Sequence, residues 1–178
     1  MARAPRGGSK SHCTKIALLL ALLVGGGYAF GQEGEQEPVA IVELGGAGEW
    51  AFNGGSSFGP AIAVEVTPIE NWLELEAGVT PMFRSGQREL DTDLLFKKPY
   101  TLSKTAEFMF GIGPEWVHAT AHGRTSDSIT GEAALDFMFW PWAKRRFGWY
   151  LEPTYEYSFA AGHEQSISVE GGLLITIR

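Results

Sequence analysis

The sequence is short of three things: cysteine, basic charge beyond its first residues, and long apolar runs. Cys13 is the single cysteine, and no window of 18 residues after residue 31 is apolar enough to cross a membrane as a helix. Residues 32–178 carry all 21 acids but only ten of the 14 Lys and Arg residues, a net charge of −11. For residues 32–178 these absences exclude disulfides, cysteine nucleophiles and helical membrane spans, and they argue against nucleic-acid partners.

The first 31 residues predict a secretory signal peptide. Four basic residues and no acid precede nine consecutive apolar residues, 16–24, a run too short to span a bilayer. Ala29 and Gly31 then supply small residues at the positions that a signal peptidase reads. We expect cleavage after Gly31, with Ala29 as the alternative boundary. That cleavage removes Cys13 and leaves a polar periplasmic tether, 32–38, before a domain at 39–178.

Alternation of apolar and polar residues is the main pattern in that domain. In its last copy Ile167, Val169 and Leu173 share one face, while Ser168 and Glu170 lie on the other. The eight copies lie at about 39–50, 60–68, 73–80, 89–98, 106–116, 135–139, 149–159 and 166–177, separated by breaks rich in Gly, Pro and Ser. Since successive side chains of a strand point to opposite faces, each copy predicts a strand with one apolar face and one acidic or small face.

Eight strands with short connections predict an all-β, eight-stranded antiparallel up-and-down barrel, because closure removes both exposed edges. The pattern alone fits either a membrane barrel with its apolar face outward or a soluble lipocalin-like barrel with that face inward. The secretory signal, the long segments and the aromatic residues at segment ends favour a transmembrane β-barrel. The predicted aromatic belts contain Trp72, Tyr100, Trp142 and Trp149 at one end, and Trp50, Phe52, Phe83, Trp116 and Phe159 at the other.

Residues 39–178 resemble the small eight-stranded bacterial outer-membrane barrels of the OmpA and OmpX type. The resemblance rests on the eight alternating segments and on the ending Gly171-Gly-Leu-Leu-Ile-Thr-Ile-Arg178. It implies a place in the cell outer membrane of a Gram-negative bacterium, contact with outer-membrane lipid and lipopolysaccharide, and insertion by the barrel assembly machinery. We expect a monomer without cofactor or metal.

An acidic lumen follows if the apolar faces point outward. The inward carboxylates are then Glu43, Glu65, Glu74, Glu76, Asp91, Asp93, Glu107, Glu115, Asp136, Glu152, Glu156 and Glu170. Lys97 is an inward basic residue, and a turn at 84–88 would place it opposite Glu76. Either these acids are solvated in a wet lumen, or they hold cations as a weak site or a narrow cation-preferring path.

Three histidines follow residue 31. His118 and His122 fall in the longest predicted outer loop, 118–130, and His163 falls in the last outer loop. Their neighbours complete no recognisable metal-ligand spacing, so solvated loop histidines are expected. Some barrels of the resembled group modify lipid A, and a deacylase needs a serine activated by a histidine. The run from His163 to Ser166 has these residue types, but it sits at a loop tip, so no catalytic residue is predicted.

The sequence therefore predicts a small non-enzymatic outer-membrane barrel with a structural or surface role in the cell envelope. Three alternatives remain at this point. They are a lipid A-modifying hydrolase, a narrow cation-preferring pore and a soluble periplasmic lipocalin-like binding barrel.

Overall fold

The alternating segments all become strands of one closed antiparallel sheet. The computed structural model describes residues 39–142 and 144–178, and the expected signal peptide and tether lie outside them. The strands are β1 Ala40–Ala51, β2 Ser56–Ile69, β3 Leu73–Arg84, β4 Gln87–Ser103, β5 Ala106–Ala121, β6 Arg124–Phe139, β7 Phe147–Ser158 and β8 Gln165–Ile177. Each strand pairs with its sequence neighbours, and β1 pairs with β8, so the predicted eight-stranded barrel is confirmed.

The connections define two ends of the barrel. The terminal end holds the start of β1, the end of β8 and the connections 70–72, 104–105 and 140–146. The distal end holds the connections 52–55, 85–86, 122–123 and 159–164. No helix in the described part of the chain is long and apolar enough to cross a membrane.

The two faces of the sheet have opposite chemistry. On β6 the Leu135 side chain is 40 % exposed, whereas Asp136 and Met138 are completely buried. On β3, Glu74 and Glu76 are buried, while Leu75 between them is only half-buried. Acids therefore point into the lumen and apolar side chains point outward. This is the reverse of the soluble lipocalin-like arrangement, in which the apolar face fills the interior.

The predicted register of β3 and β4 is wrong by two residues. A two-residue turn at 85–86, with Gly86 at a φ of 77°, joins Arg84 directly to its partner Gln87. Glu74 therefore lies opposite Lys97, and Glu76 lies opposite Leu95. A slip of two residues keeps every side chain on its predicted face, because the period of a strand is two.

The predicted outer loop 118–130 is also wrong. Strands β5 and β6 continue to a two-residue turn at His122 and Gly123, and Ala121 pairs with Arg124 across it. His122 and Gly123 have φ values of 50° and 75°, which suit a hairpin turn with both central residues in the left-handed region. His118 is accordingly a strand residue, paired with Asp127.

Candidate functional site

The lumen brings together all the acids that the sequence predicts to point inward. Glu43, Glu65, Glu74, Glu76, Glu115, Asp136 and Glu152 are buried, and Asp91, Asp93, Glu107, Glu156 and Glu170 line lumen cavities. The buried group lies mostly on β1, β2, β3, β6 and β7, which closure sets around one interior. The lumen is therefore the most chemically distinctive part of the described chain.

Lys97 is the centre of the buried charges. Its side chain is 1 % exposed, and its ammonium donates to Glu76, Glu152 and Asp136, the last at 3.0 Å. Glu65 lies further away, with its Oε2 at 3.9 Å from Nζ. The predicted Glu76–Lys97 contact is present, although the register that predicted it is not. Two further strands, β6 and β7, contribute acids to the same ammonium.

A second acidic region lines the distal half of the lumen. Its cavity has a volume of only about 40 Å³, and nine carboxylates line it without a basic side chain in its described lining. Serine hydroxyl groups donate hydrogen bonds to some of the carboxylates in this half of the lumen. Ser57 donates to Glu49 at 2.6 Å, and Ser166 donates to Glu156 at 2.7 Å. Dense carboxylates with few donors make this region attractive to cations.

Apolar side chains fill the lumen towards the terminal end, on the side of β5 to β8. Met109, Met138, Trp140, Tyr150 and Leu174 pack together, and none is more than 2 % exposed. A small residue opposite makes room for the Tyr150 ring, since a Cβ on Gly45 would stand 2.7 Å from the phenol oxygen. The interior at this level is packed with side chains rather than open.

Arg145 bridges two connections at the terminal end. Its guanidinium lies 4.4 Å from the centre of the Trp140 ring and donates to Glu107 at 2.6 Å. It also donates to the carbonyl oxygens of Lys104 at 3.0 Å and Ser103 at 3.1 Å. The arginine thus ties the 140–146 connection to the 104–105 connection.

Sequence reasoning missed Glu132, Trp140 and Arg145. Glu132 lies in the lumen lining, and its Oε2 has neither a hydrogen-bond partner nor appreciable solvent contact. Extending the alternation of β6 backward from Asp136 by four residues would have found it. Extending the same alternation forward from Met138 by two residues would have found Trp140, whereas Arg145 lies in a connection, where no period marks it as inward.

The histidines do not form a catalytic or metal-binding set in the described structure. His118 Nδ1 lies 2.7 Å from Asp127 Oδ1 on the exposed β5–β6 hairpin. His163 stacks on Tyr157 at 5.7 Å between ring centres. Ser166, the serine close to His163 in sequence, points into the lumen and donates to Glu156 instead.

The predicted belt residues lie near the two ends on the outer face. Trp72, Trp142 and Trp149 are at least half exposed at the terminal end, and so are Trp50 and Phe159 at the distal end, whereas Trp116 is half-buried beside His118. Between these residues the outer face is apolar, with exposed Leu94, Phe110, Ile112, Leu135 and Leu173. An apolar band flanked by aromatic rings is the outer surface that lipid-embedded barrels present.

Comparisons with known proteins bear on the fold. No protein-family model and no curated protein sequence matches this chain. Among solved structures, Neisserial surface protein A is similar with a TM-score of 0.62 at 12 % identity, covering 78 % of this chain and 96 % of that one. The N-terminal β-barrel domain of Pseudomonas aeruginosa OprF is similar with a TM-score of 0.57 at 11 % identity. The match covers 79 % of this chain and 100 % of that one. The attachment invasion locus protein Ail of Yersinia pestis is similar with a TM-score of 0.53 at 10 % identity, and the match again covers 79 % of this chain and 100 % of that one.

Such likenesses at low identity concern the fold alone. The chain has the fold of the small eight-stranded outer-membrane barrels, as its alternating segments predicted.

Proposed function

We propose that this protein is a small non-enzymatic β-barrel of the bacterial outer membrane, with a structural or surface role in the envelope. The observation that carries the proposal is the inverted distribution of side chains, with acids buried and leucine, isoleucine and aromatic residues exposed in a band. Such a surface is stable against lipid tails and costly in water. Outer-membrane lipid and lipopolysaccharide are then its surroundings, and the barrel assembly machinery inserts it as a monomer.

Fractionation and gel migration test the location. The protein should pellet with outer membranes after carbonate washing, and its folded form should migrate faster than the boiled form. A protein recovered in the periplasmic supernatant, with the same migration before and after boiling, would overturn the proposal.

The packed interior favours a structural role over a pore. Lys97 and the apolar cluster around Met138 fill the lumen between the distal cavity and the terminal end. Eight strands enclose a space that side chains can fill completely. In planar bilayers we expect no stable conductance steps from the folded protein, whereas steady cation-selective current would favour the narrow pore.

A hydrolase is disfavoured by the position of Ser166. Its hydroxyl is held by Glu156 inside the lumen rather than by a histidine on the outer face, where lipid is. A serine hydrolase needs a base within hydrogen-bond reach of the nucleophile. A fluorophosphonate probe should therefore leave the folded protein unlabelled, and stoichiometric labelling of Ser166 would reverse this conclusion.

A further inference from the structure

Two carboxylates near Lys97, Glu43 and Glu65, accept no hydrogen bond from its ammonium. An ammonium has three N–H donors, and those of Lys97 go to Glu76, Asp136 and Glu152. Glu43 and Glu65, each 1 % exposed, receive none of them. Both oxygens of Glu65 and Oε1 of Glu43 are buried without a hydrogen-bond partner. Buried ionised carboxylates are costly when they lack a cation or a donor.

These orphaned oxygens converge on one small volume. One oxygen each from Glu43, Glu65, Glu76 and Asp136 lies within 4.8 Å of the other three. Asp136 contributes a further orphan, because its Oδ1 is buried and unpartnered while Oδ2 accepts from Lys97. The four residues come from β1, β2, β3 and β6, so barrel closure rather than a sequence motif assembles them.

We propose that Glu43, Glu65, Glu76 and Asp136 form a binding site for one divalent cation, with Ca²⁺ as the best-suited ion. Four carboxylates supply hard oxygen ligands from separate strands, and Ca²⁺ accepts such irregular oxygen sets more readily than Mg²⁺, which demands near-octahedral geometry. The ion neutralises Glu43 and Glu65, the two acids that receive no hydrogen bond from Lys97. Lys97 donates to two of the ligands, Glu76 and Asp136, and its positive charge repels the ion, which limits the affinity of the site.

A cavity at the terminal end reaches one of the four ligands, Glu65. Glu65 and Glu74 line this cavity, which also contains Asn71, Glu107 and Arg145. The carboxylates in its lining favour the entry of a cation on this side of the site.

Calcium titration of the folded protein tests the site. The protein, purified in zwitterionic detergent and freed of metal with a chelator, should take up one Ca²⁺ per chain by isothermal titration calorimetry. Glu65→Gln should weaken that uptake at least about tenfold, since it replaces a charged carboxylate ligand that has no hydrogen-bond partner by a neutral amide. Glu43→Gln should do the same and serves if the first variant does not fold. The folding of each variant is checked by comparing its gel migration before and after boiling.

Glu132→Gln is the matched control, because it also removes one lumen carboxylate but lies outside the four ligands. It should change Ca²⁺ affinity by less than about threefold. Lys97→Met, where it folds, should tighten Ca²⁺ binding by removing the repelling ammonium. Equal losses of Ca²⁺ affinity in Glu65→Gln and Glu132→Gln would mean that the acidic lumen attracts cations as a whole. That result would overturn the four-carboxylate site. Absence of saturable Ca²⁺ uptake at concentrations up to about 10 mM would overturn it as well. Neither result bears on the location of the protein, which the fractionation experiment tests separately.

Discussion

Lys97 on β4 lies directly opposite Glu74 on β3, yet its ammonium donates to Glu76, two residues further along that strand. Diagonal neighbours on one face of a sheet are within reach of a long side chain. Lys97 also reaches across the lumen to Asp136 on β6 and Glu152 on β7. One side chain on β4 therefore links β6 and β7, with which β4 shares no backbone hydrogen bonds.

Replacing Lys97 by methionine should cost more stability than replacing any one of its partners. The change leaves Glu76, Asp136 and Glu152 buried without a cation, and breaking a buried ion pair from one side costs about 3–5 kcal/mol. Glu76→Gln should cost only about 1 kcal/mol, because two other carboxylates still accept from Lys97. In the Lys97→Met background, Glu76→Gln should instead stabilise the barrel by removing a repelling charge. Urea unfolding of the four proteins in lipid vesicles measures the coupling.

Glu89→Gln is the control for that cycle. Glu89 lies on β4 near the distal end, where it accepts from Gln87 rather than from Lys97. Glu89→Gln should change the free energy of unfolding by the same amount with and without Lys97. If the changes caused by Glu76→Gln and Lys97→Met also add within error, the two residues are not coupled in stability.

The strands and their faces could be predicted because lipid and lumen impose opposite requirements on neighbouring residues. Leu135 and Asp136 differ in burial for this reason, and the same alternation marks all eight strands. The β5–β6 hairpin was missed because its distal part, around Thr125, is exposed on both faces. With neither face apolar there is no alternation to detect, and a His-Gly turn is a weak hairpin signal beside Asn-Gly.

The composition of the buried cluster could be predicted, but its geometry could not. Period two identified Glu76, Lys97 and Asp136 as inward residues. Which acids share the ammonium depends on closure, which brings β6 and β7 across the lumen to β4. Arg145 was missed for another reason, since it acts from a connection, where side chains follow no period.

The turn at His122 and Gly123 should respond to residue type according to its backbone. Gly123→Ala should destabilise by about 1 kcal/mol, because φ at this position is 75°. His122→Asn should be neutral or slightly stabilising, since asparagine tolerates the left-handed region, whereas His122→Val should destabilise. Urea unfolding of the three variants provides the comparison. A loss of stability in His122→Asn equal to that in His122→Val would mean that the imidazole, and not the backbone, matters at this turn.

Arg145 should stabilise the terminal end through the geometry of its guanidinium as well as through its charge. Arg145→Lys keeps the charge but loses the planar fork that contacts Glu107 and the carbonyl oxygens of Ser103 and Lys104. We expect a loss of about 1–2 kcal/mol in unfolding free energy, discounted for the partial exposure of the guanidinium. Arg146→Lys, on the exposed neighbour, is the control and should be neutral. Faster hydrogen exchange at the Trp140 amide in Arg145→Lys, but not in Arg146→Lys, would place the loss of stability at the terminal end. Equal unfolding free energies of the two variants would contradict the prediction.

The lipid-facing assignment predicts a contrast between two arginine substitutions on the outer face of β6. Leu135 lies within the apolar band and is 40 % exposed, so Leu135→Arg places a charge in lipid and should cost about 2–4 kcal/mol. Thr125 is exposed on the same face beyond the band, ten residues nearer the distal turn, and Thr125→Arg should change stability by less than about 0.5 kcal/mol. The strand, the face and the new residue are the same, so the depth in the membrane is the variable that differs. Urea titrations in vesicles decide the matter, and the contrast should shrink in detergent micelles that admit water to the band. Equal costs at the two positions would mean that the exposed apolar band does not contact lipid.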